Sequence, residues 1–272
     1  MQSVGLPSGG YADSVPELPD VEGFRRVISD HAVGRRIRRV DVLDAGVLRG
    51  VSIEALQQAL HGRKFGQPWR HGKYLIVPIA SSKKAVLLHF GMTGSLHWAT
   101  IRHRHDRIVF AFADSELSYR DMRKLHGLRL AHSQDDVRRV LANLGPDAAE
   151  LSLAELRDQL TGLRRQVKPA LLDQVVVAGL GNLLADEILW RARIHPRRSC
   201  AELEPEDLAR LHARMRTVLR RSIPQGRVPP RKTWLTGRRD EKSGSCPRCG
   251  TTLAHGRVGG RGTAWCPQCQ PR

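Results

Sequence analysis

The chain has 272 residues, enough for two domains or for one large domain with appendages, and it can bury sizeable cores. Its 45 Lys plus Arg against 27 Asp plus Glu give a net charge of +18 and a pI near 10.8, the electrostatic footprint of a polyanionic partner. No stretch approaches the ~18 apolar residues of a spanning helix and no basic amphipathic helix stands out, which excludes a membrane span and leaves nucleic acid ahead of an anionic membrane surface.

Residues 1–15 are rich in Gly and Ser, contain no Lys or Arg and show no periodicity. They read as a disordered extension rather than a signal peptide, and the expected location is cytoplasmic, on the nucleoid. The character changes at Pro16-Glu17-Leu18-Pro19-Asp20, where Pro19 and Asp20 open a helix carrying Val21, Phe24 and Ile28 on one face. From residue 36 to about 132 the pattern is mostly short β-type runs, at 37–42, 74–79, 85–90, 108–112 and 128–130, with one helical stretch at 53–60. Such a succession predicts a sandwich or barrel.

From residue 135 the period becomes helical, with Leu141, Leu144, Leu151, Leu153, Leu156 and Leu160, then 169–174, 183–193 and 203–222. Residues 168–190 read as helix, tight turn, helix: Gly179 and Gly181 allow close backbone approach, and Asn182 stands where it would cap the second helix. A helix start with free amides attracts phosphate, although the same pattern also serves an ordinary helical hairpin. Residues 223–245, with three prolines and many charges, read as a mobile loop or linker.

The strongest local signal comes last. Cys246-Pro-Arg-Cys249 is followed, after 16 residues, by Cys266-Pro-Gln-Cys269. Four thiolates close a tetrahedron around one zinc ion and leave no position for water, so the metal is expected to be structural. Two disulfides or a redox pair are the alternatives, and the doubled spacing favours zinc. Between the knuckles, residues 251–265 read as a hairpin whose tip, Gly259-Gly260-Arg261-Gly262, puts Arg261 on a short arm suited to a phosphate. An arginine in such a turn is more commonly just solvated. The remaining Cys200 reads as an ordinary thiol, in keeping with a reducing compartment. The expected fold class is α+β: an N-terminal helix plus β-sandwich at 16–133, a helical domain at 134–222, the linker at 223–245 and a zinc ribbon at 246–272.

Taken in order, Pro-Glu-Leu-Pro-Asp-Val-Glu (16–22), His-Gly-Lys-Tyr-Leu (71–75), His-Phe-Gly-Met-Thr-Gly (89–94), Asp-Met-Arg-Lys (121–124), the 179–182 turn and the ribbon resemble formamidopyrimidine-DNA glycosylase and its endonuclease VIII relatives. The resemblance covers residues 16–270. It implies a helix-two-turn-helix domain and a bifunctional glycosylase and AP lyase that acts, as a monomer, on double-stranded damaged DNA. By similarity Pro16 is the nucleophile, its secondary amine attacking C1′ of the damaged nucleoside. Glu17 is its acid/base partner, Lys73 supports base release, and Arg261 holds the phosphates flanking the lesion. Met92 and Arg123 fill the gap left by the flipped base, with Leu125 as a third wedge where the glycosylases usually carry Phe. His89 and Asn182 bind phosphate.

Departures from the family pattern matter. The Pro16 nitrogen is bonded to Val15 as a tertiary amide, which cannot form an iminium. The expectation is translation starting at Val15 from a GUG codon, followed by trimming, or proteolytic removal of residues 1–15. An extra residue, His126, precedes the expected glycine. The 223–237 interval also lacks the Gly- and Thr-rich lid of the 8-oxoguanine enzymes. Oxidised purines and formamidopyrimidines remain the first substrate expectation, with oxidised pyrimidines close behind. A blocked Pro16 would favour a non-catalytic binder of damaged or abasic DNA. A nucleobase deaminase is disfavoured, because the chain lacks the His-x-Glu that such an enzyme needs.

Overall fold

The computed structural model describes residues 15–272, so the expected disordered extension lies, Val15 apart, outside the described residues. Two compact units form: one contains Val21–Asn143, the other Glu17–Asp20 together with Leu144–Arg272.

Helix α1 (Leu18–His31) has its first three residues in the second unit; within the first it buries Val21, Phe24 and Ile28 at helical spacing, as the sequence predicts. The strands are β1 (Arg39–Val42), β2 (Trp69–His71), β3 (Tyr74–Pro78), β4 (Ala85–His89), β5 (Ser95–Trp98), β6 (Asp106–Ala111), β7 (Glu116–Arg120) and β8 (Gly127–Ala131); α2 (Ile53–Leu60) falls where expected. They make two four-stranded sheets, ordered β1-β6-β7-β5 and β2-β3-β4-β8, with every neighbouring pair antiparallel. Leu75, Val77, Val86, Leu88, Leu128 and Leu130 of one sheet share a core with Ile108, Phe110, Leu117 and Tyr119 of the other. Burying each such side chain contributes roughly 1.5–3 kcal/mol.

The alternate residues Ile76, Ala85, Leu87 and Ala131 face away from that core and are covered by Val137, Val140 and Leu141 of α3 (Gln134–Leu141). Both faces of the sheet are therefore buried here, which is why β3 and β4 read as unbroken apolar runs. The same packing corrects the expected boundary at residue 133, since α3 belongs to the β-sandwich unit, which ends at Asn143. Helical periodicity identifies an apolar face but not the surface that face will cover.

The second unit is built from α4 (Leu153–Leu160), α5 (Val167–Leu172), α6 (Asn182–Ala192) and α7 (Pro205–Ser222). A capping box between Ser152 and Glu155 starts α4, and Pro205 occupies the first turn of α7. Leu156, Leu171, Leu184, Ile188, Leu211 and Met215 lie in its core. Residues 223–245 correct the linker expectation: Val228 and Trp234 join that core, and Leu235 packs with Trp190 beside the cysteines. Prolines and charges in the segment masked these apolar anchors. The ribbon hairpin pairs β9 (Ala254–Val258) with β10 (Arg261–Trp265). Gly259 and Gly260 form its turn at φ 57° and 75°, as a type I′ turn requires. Arg261 therefore opens β10 opposite Val258 rather than sitting in the turn itself. Among the described residues no helix is long and apolar enough to cross a membrane.

Candidate functional site

In the second unit the segment around Glu17 is seated on the loop that leads into α6. Leu18 donates its backbone N–H to Gly179 O at 3.0 Å. The Glu17 carboxylate accepts backbone N–H groups from Leu183 at 2.7 Å, Gly181 at 3.0 Å and Leu184 at 3.1 Å. The first N–H groups of a helix lack intrahelical partners, and an anion placed there gains both charge-assisted bonds and the favourable end of the helix dipole. The two glycines make this approach possible: a Cβ on Gly181 would lie 2.3 Å from Glu17 Cδ, and one on Gly179, at φ 109°, 2.6 Å from Leu18 Cδ1. Glu17 is only 2% exposed. Pro16, directly before it, is buried.

Asn182 does not cap α6 as the sequence suggests. Gly181 holds the N-cap position, the capping anion comes from Glu17, and Asn182 Nδ2 donates instead to Gly262 O at 3.0 Å. The same carbonyl receives Lys168 Nζ at 3.2 Å and an Arg239 guanidinium N–H at 3.3 Å. Lys168 and Arg239 also flank Asp186, at 2.6 and 2.7 Å, and Lys168 donates to Thr263 Oγ1 at 2.7 Å. Burial pushes the Lys168 ammonium down and the Asp186 carboxyl up from their ordinary values, and their pairing opposes both shifts. The network thus holds the backbone of Gly262, directly after Arg261, which is exposed. Sequence reasoning missed Asp186 and Arg239 as parts of it. The only available signal was a Lys and an Asp among the apolar residues of α5 and α6.

The first unit gathers a different set. Lys73 follows Gly72, at φ 55°, in the two-residue turn between β2 and β3. The His89 ring lies 4.7 Å from Tyr74 and 4.0 Å from His126, centroid to centroid. Burial, then the neighbouring His126 and Lys73 charges, lower the His89 pKa to about 3, so the ring is neutral near pH 7. Arg123 donates from its guanidinium to Met92 Sδ at 3.0 Å and from its backbone to Thr93 Oγ1 and Asp121 Oδ1, both at 3.0 Å. Thr93 Oγ1 in turn donates to Asp121 Oδ1 at 2.5 Å. The sequence-predicted Met92 and Arg123 are thus brought together. Leu125 is 53% exposed rather than an inward strand residue, and Met122, not singled out from sequence, is equally exposed. The extra residue His126 packs its ring against His89 at a tilt of 36°, and Gly127 follows at φ 147°, where a Cβ would meet Val47 O at 1.9 Å.

Cys246, Cys249, Cys266 and Cys269 bring their sulfurs within 4.8 Å of one another, with pairs at 3.5 Å and 3.9 Å. A zinc tetrahedron with bonds of about 2.3 Å has edges of about 3.8 Å, so the set fits one ion. Trp190 Nε1 donates to Cys246 Sγ at 3.3 Å, and the backbone N–H groups of Arg248 and Cys269 donate to Cys246 and Cys266 at 3.4 and 3.3 Å. Such donors favour thiolates. The ribbon holds one structural zinc. Cys200 is buried with its pKa pushed up to about 11 by that burial, which marks an inert thiol.

A β-sandwich, a helical hairpin whose second helix starts on a carboxylate, and a four-thiolate ribbon define a zinc-ribbon protein of the helix-two-turn-helix class. Residues 15–128 match the formamidopyrimidine-DNA glycosylase N-terminal domain, 144–230 the H2TH domain of the same enzymes, and 245–272 the zinc finger found in FPG and IleRS. A formamidopyrimidine-DNA glycosylase of Symbiobacterium thermophilum is 36% identical over 280 residues, spanning 94% of this chain and 90% of that relative. Solved structures of Lactococcus lactis Fpg with abasic-site DNA and with FAPY-dG DNA give TM-scores of 0.85 and 0.86 at 29% and 30% identity, over 94% of this chain and 100% of each of those. The chain belongs to the formamidopyrimidine-DNA glycosylase family.

Proposed function

We propose that Pro16, once freed from Val15, is the nucleophile of a DNA repair glycosylase and AP lyase. The protein acts on damaged or abasic DNA. An α-amino nitrogen has a reference pKa near 8, so far more of it is neutral at pH 7 than of a lysine near 10.4. The Pro16 nitrogen attacks C1′, the damaged base departs, and the opened sugar remains as an iminium. The iminium acidifies the neighbouring sugar protons, and β,δ-elimination then releases the 3′ and 5′ phosphates in turn. Glu17 protonates the opening sugar and Lys73 assists base release. Arg261, His89 and Asn182 hold phosphates, while Met92, Arg123 and Leu125 occupy the vacated stack.

The seating of Glu17 on three backbone N–H groups carries this proposal, because it fixes the residue that directly follows the nucleophile. Support for the placing of Pro16 comes from the family match, which starts at residue 15. Oxidised purines and formamidopyrimidines are the first substrates, with oxidised pyrimidines next. The enzyme works as a monomer in the cytoplasm on nucleoid DNA, and the +18 charge makes binding weaken steeply with salt. Borohydride trapping on a panel of damaged duplexes, with chains starting at Met1 and at Pro16 side by side, tests it. Covalent adducts are expected only where the Pro16 nitrogen is free. Binding without trapping by both chains would leave a non-catalytic damaged-DNA binder.

A further inference from the structure

The second unit also contains a cavity that none of these roles uses. It measures about 600 Å³ and is lined by Arg191, Arg193, Arg210, Arg214 and Arg248. Arg191 lies in the last turn of α6 and Arg193 is its C-cap. Arg210 and Arg214 stand one turn apart on α7, and Arg248 sits inside the first cysteine knuckle. With 11 residues in α6, this end lies about 15 Å along the axis from Asn182 at the other.

Three of the five are held in place. Arg191 donates to Glu187 Oε1 at 2.7 Å and lies over the Trp234 ring at 4.6 Å. Arg210 pairs with Asp207 and donates to Ala192 O at 2.6 Å. Arg248 lies over the Trp190 ring at 4.5 Å and donates to Trp190 O at 3.3 Å. Arg193 and Arg214 are exposed and have no acidic partner among the described residues.

Two carboxylates, Glu187 and Asp207, stand beside five guanidinium groups, so the cluster keeps an excess of positive charge and Arg193 and Arg214 add repulsion that no acidic partner offsets. Arg193 moreover adopts the left-handed conformation, φ 58°, at a helix C-cap where glycine is the ordinary choice. Strain accepted in order to keep a cation in a basic cavity points to a ligand.

We propose that this cavity binds a compact oligophosphate, such as inorganic triphosphate or the triphosphate of a nucleotide. Guanidinium forks match phosphoryl oxygens in pairs, and the volume falls within the usual range for small-molecule sites. Three chain segments bound the cavity, which suits a short run of phosphoryl groups better than the extended backbone of a duplex.

Isothermal titration of inorganic triphosphate into the full zinc-loaded chain tests the assignment, against the double variant Arg193→Gly/Arg214→Gln. Glycine is at home at residue 193 and both positions are exposed, so the variant folds. Saturable binding to the parent is expected, weaker by about 10- to 100-fold in the variant, with excision from a short lesion duplex unchanged when parent and variant are both prepared as chains starting at Pro16. Absence of saturable binding to the parent, or equal binding by both, overturns the proposal. So does a variant that loses affinity for long duplex DNA while keeping it for triphosphate, which would make the arginines a nucleic-acid contact.

Discussion

Glu17 Oε1 accepts the backbone N–H of Leu183 at 2.7 Å, so the residue that follows the candidate nucleophile is also the anion at the start of α6. One carboxylate thereby joins the proposed chemistry to the anchoring of the chain that carries it.

Glu17→Gln replaces one acceptor oxygen with an NH₂ group facing backbone donors. The variant of the chain starting at Pro16 is expected to lose lesion excision and about 1–3 kcal/mol of stability in urea unfolding. Gly181→Ala, whose Cβ would fall 2.3 Å from Glu17 Cδ, is expected to disturb the same contact from the opposite side. Unchanged unfolding for both would show that the seating contributes nothing.

Acid sensitivity follows from His89. Its folded pKa is lowered to about 3 by burial and by its His126 and Lys73 neighbours. In the unfolded chain a histidine titrates near 6.5, so on acidification the unfolded state takes up the proton first. The stability contributed by the neutral ring is complete above about pH 6.5 and is lost as pH falls toward 3, at most roughly 3 kcal/mol by pH 4. His97, lowered to about 4 mainly by burial, acts in the same direction. Tm measured from pH 7.5 to 4.5 is expected to fall less steeply in His89→Gln than in the parent. Identical slopes would contradict the assignment.

Asp186 carries the charge balance beneath the ribbon arm. Asp186→Ala leaves Lys168 and Arg239 without their shared anion, in a place where the Lys168 side chain is 0% exposed. The expected loss is about 3–5 kcal/mol of stability. Because both cations also donate to Gly262 O, beside Arg261, kcat/KM on lesion DNA is expected to fall about 10-fold even at temperatures where the variant stays folded. Full activity in a folded variant would remove the link between this network and Arg261.

Zinc removal by a chelator is expected to release the β9–β10 hairpin and with it DNA binding, since four thiolates rather than a large core hold the ribbon. Trp190, whose indole N–H donates to Cys246 Sγ, reports the change as a shift in fluorescence. Retention of tight lesion binding by the metal-free protein would contradict this.

Periodicity made much of the fold legible. Val21, Phe24 and Ile28 marked the buried face of α1, and the doubled Cys-x-x-Cys spacing marked the ribbon. Strands β5 and β7 were missed because Ser95, His97 and Ser118 interrupt their apolar pattern, although Leu96, Leu117 and Tyr119 still reach the core. Motif order put forward which residues would carry the chemistry, but it could not supply their partners. A cap supplied from 164 residues away, as Glu17 caps α6, leaves no local trace, and neither does a buried Lys168–Asp186–Arg239 network. Trp234 was read as part of a linker because the prolines and charges around it outweighed one aromatic.

The most direct test is to locate the covalent bond. A chain starting at Pro16, incubated with abasic duplex and borohydride, is digested and its DNA-linked peptide sequenced by mass spectrometry. The reduced sugar is expected on the Pro16 nitrogen. An adduct on a lysine, or none on a chain that still binds the duplex, would contradict the assignment of Pro16 as nucleophile.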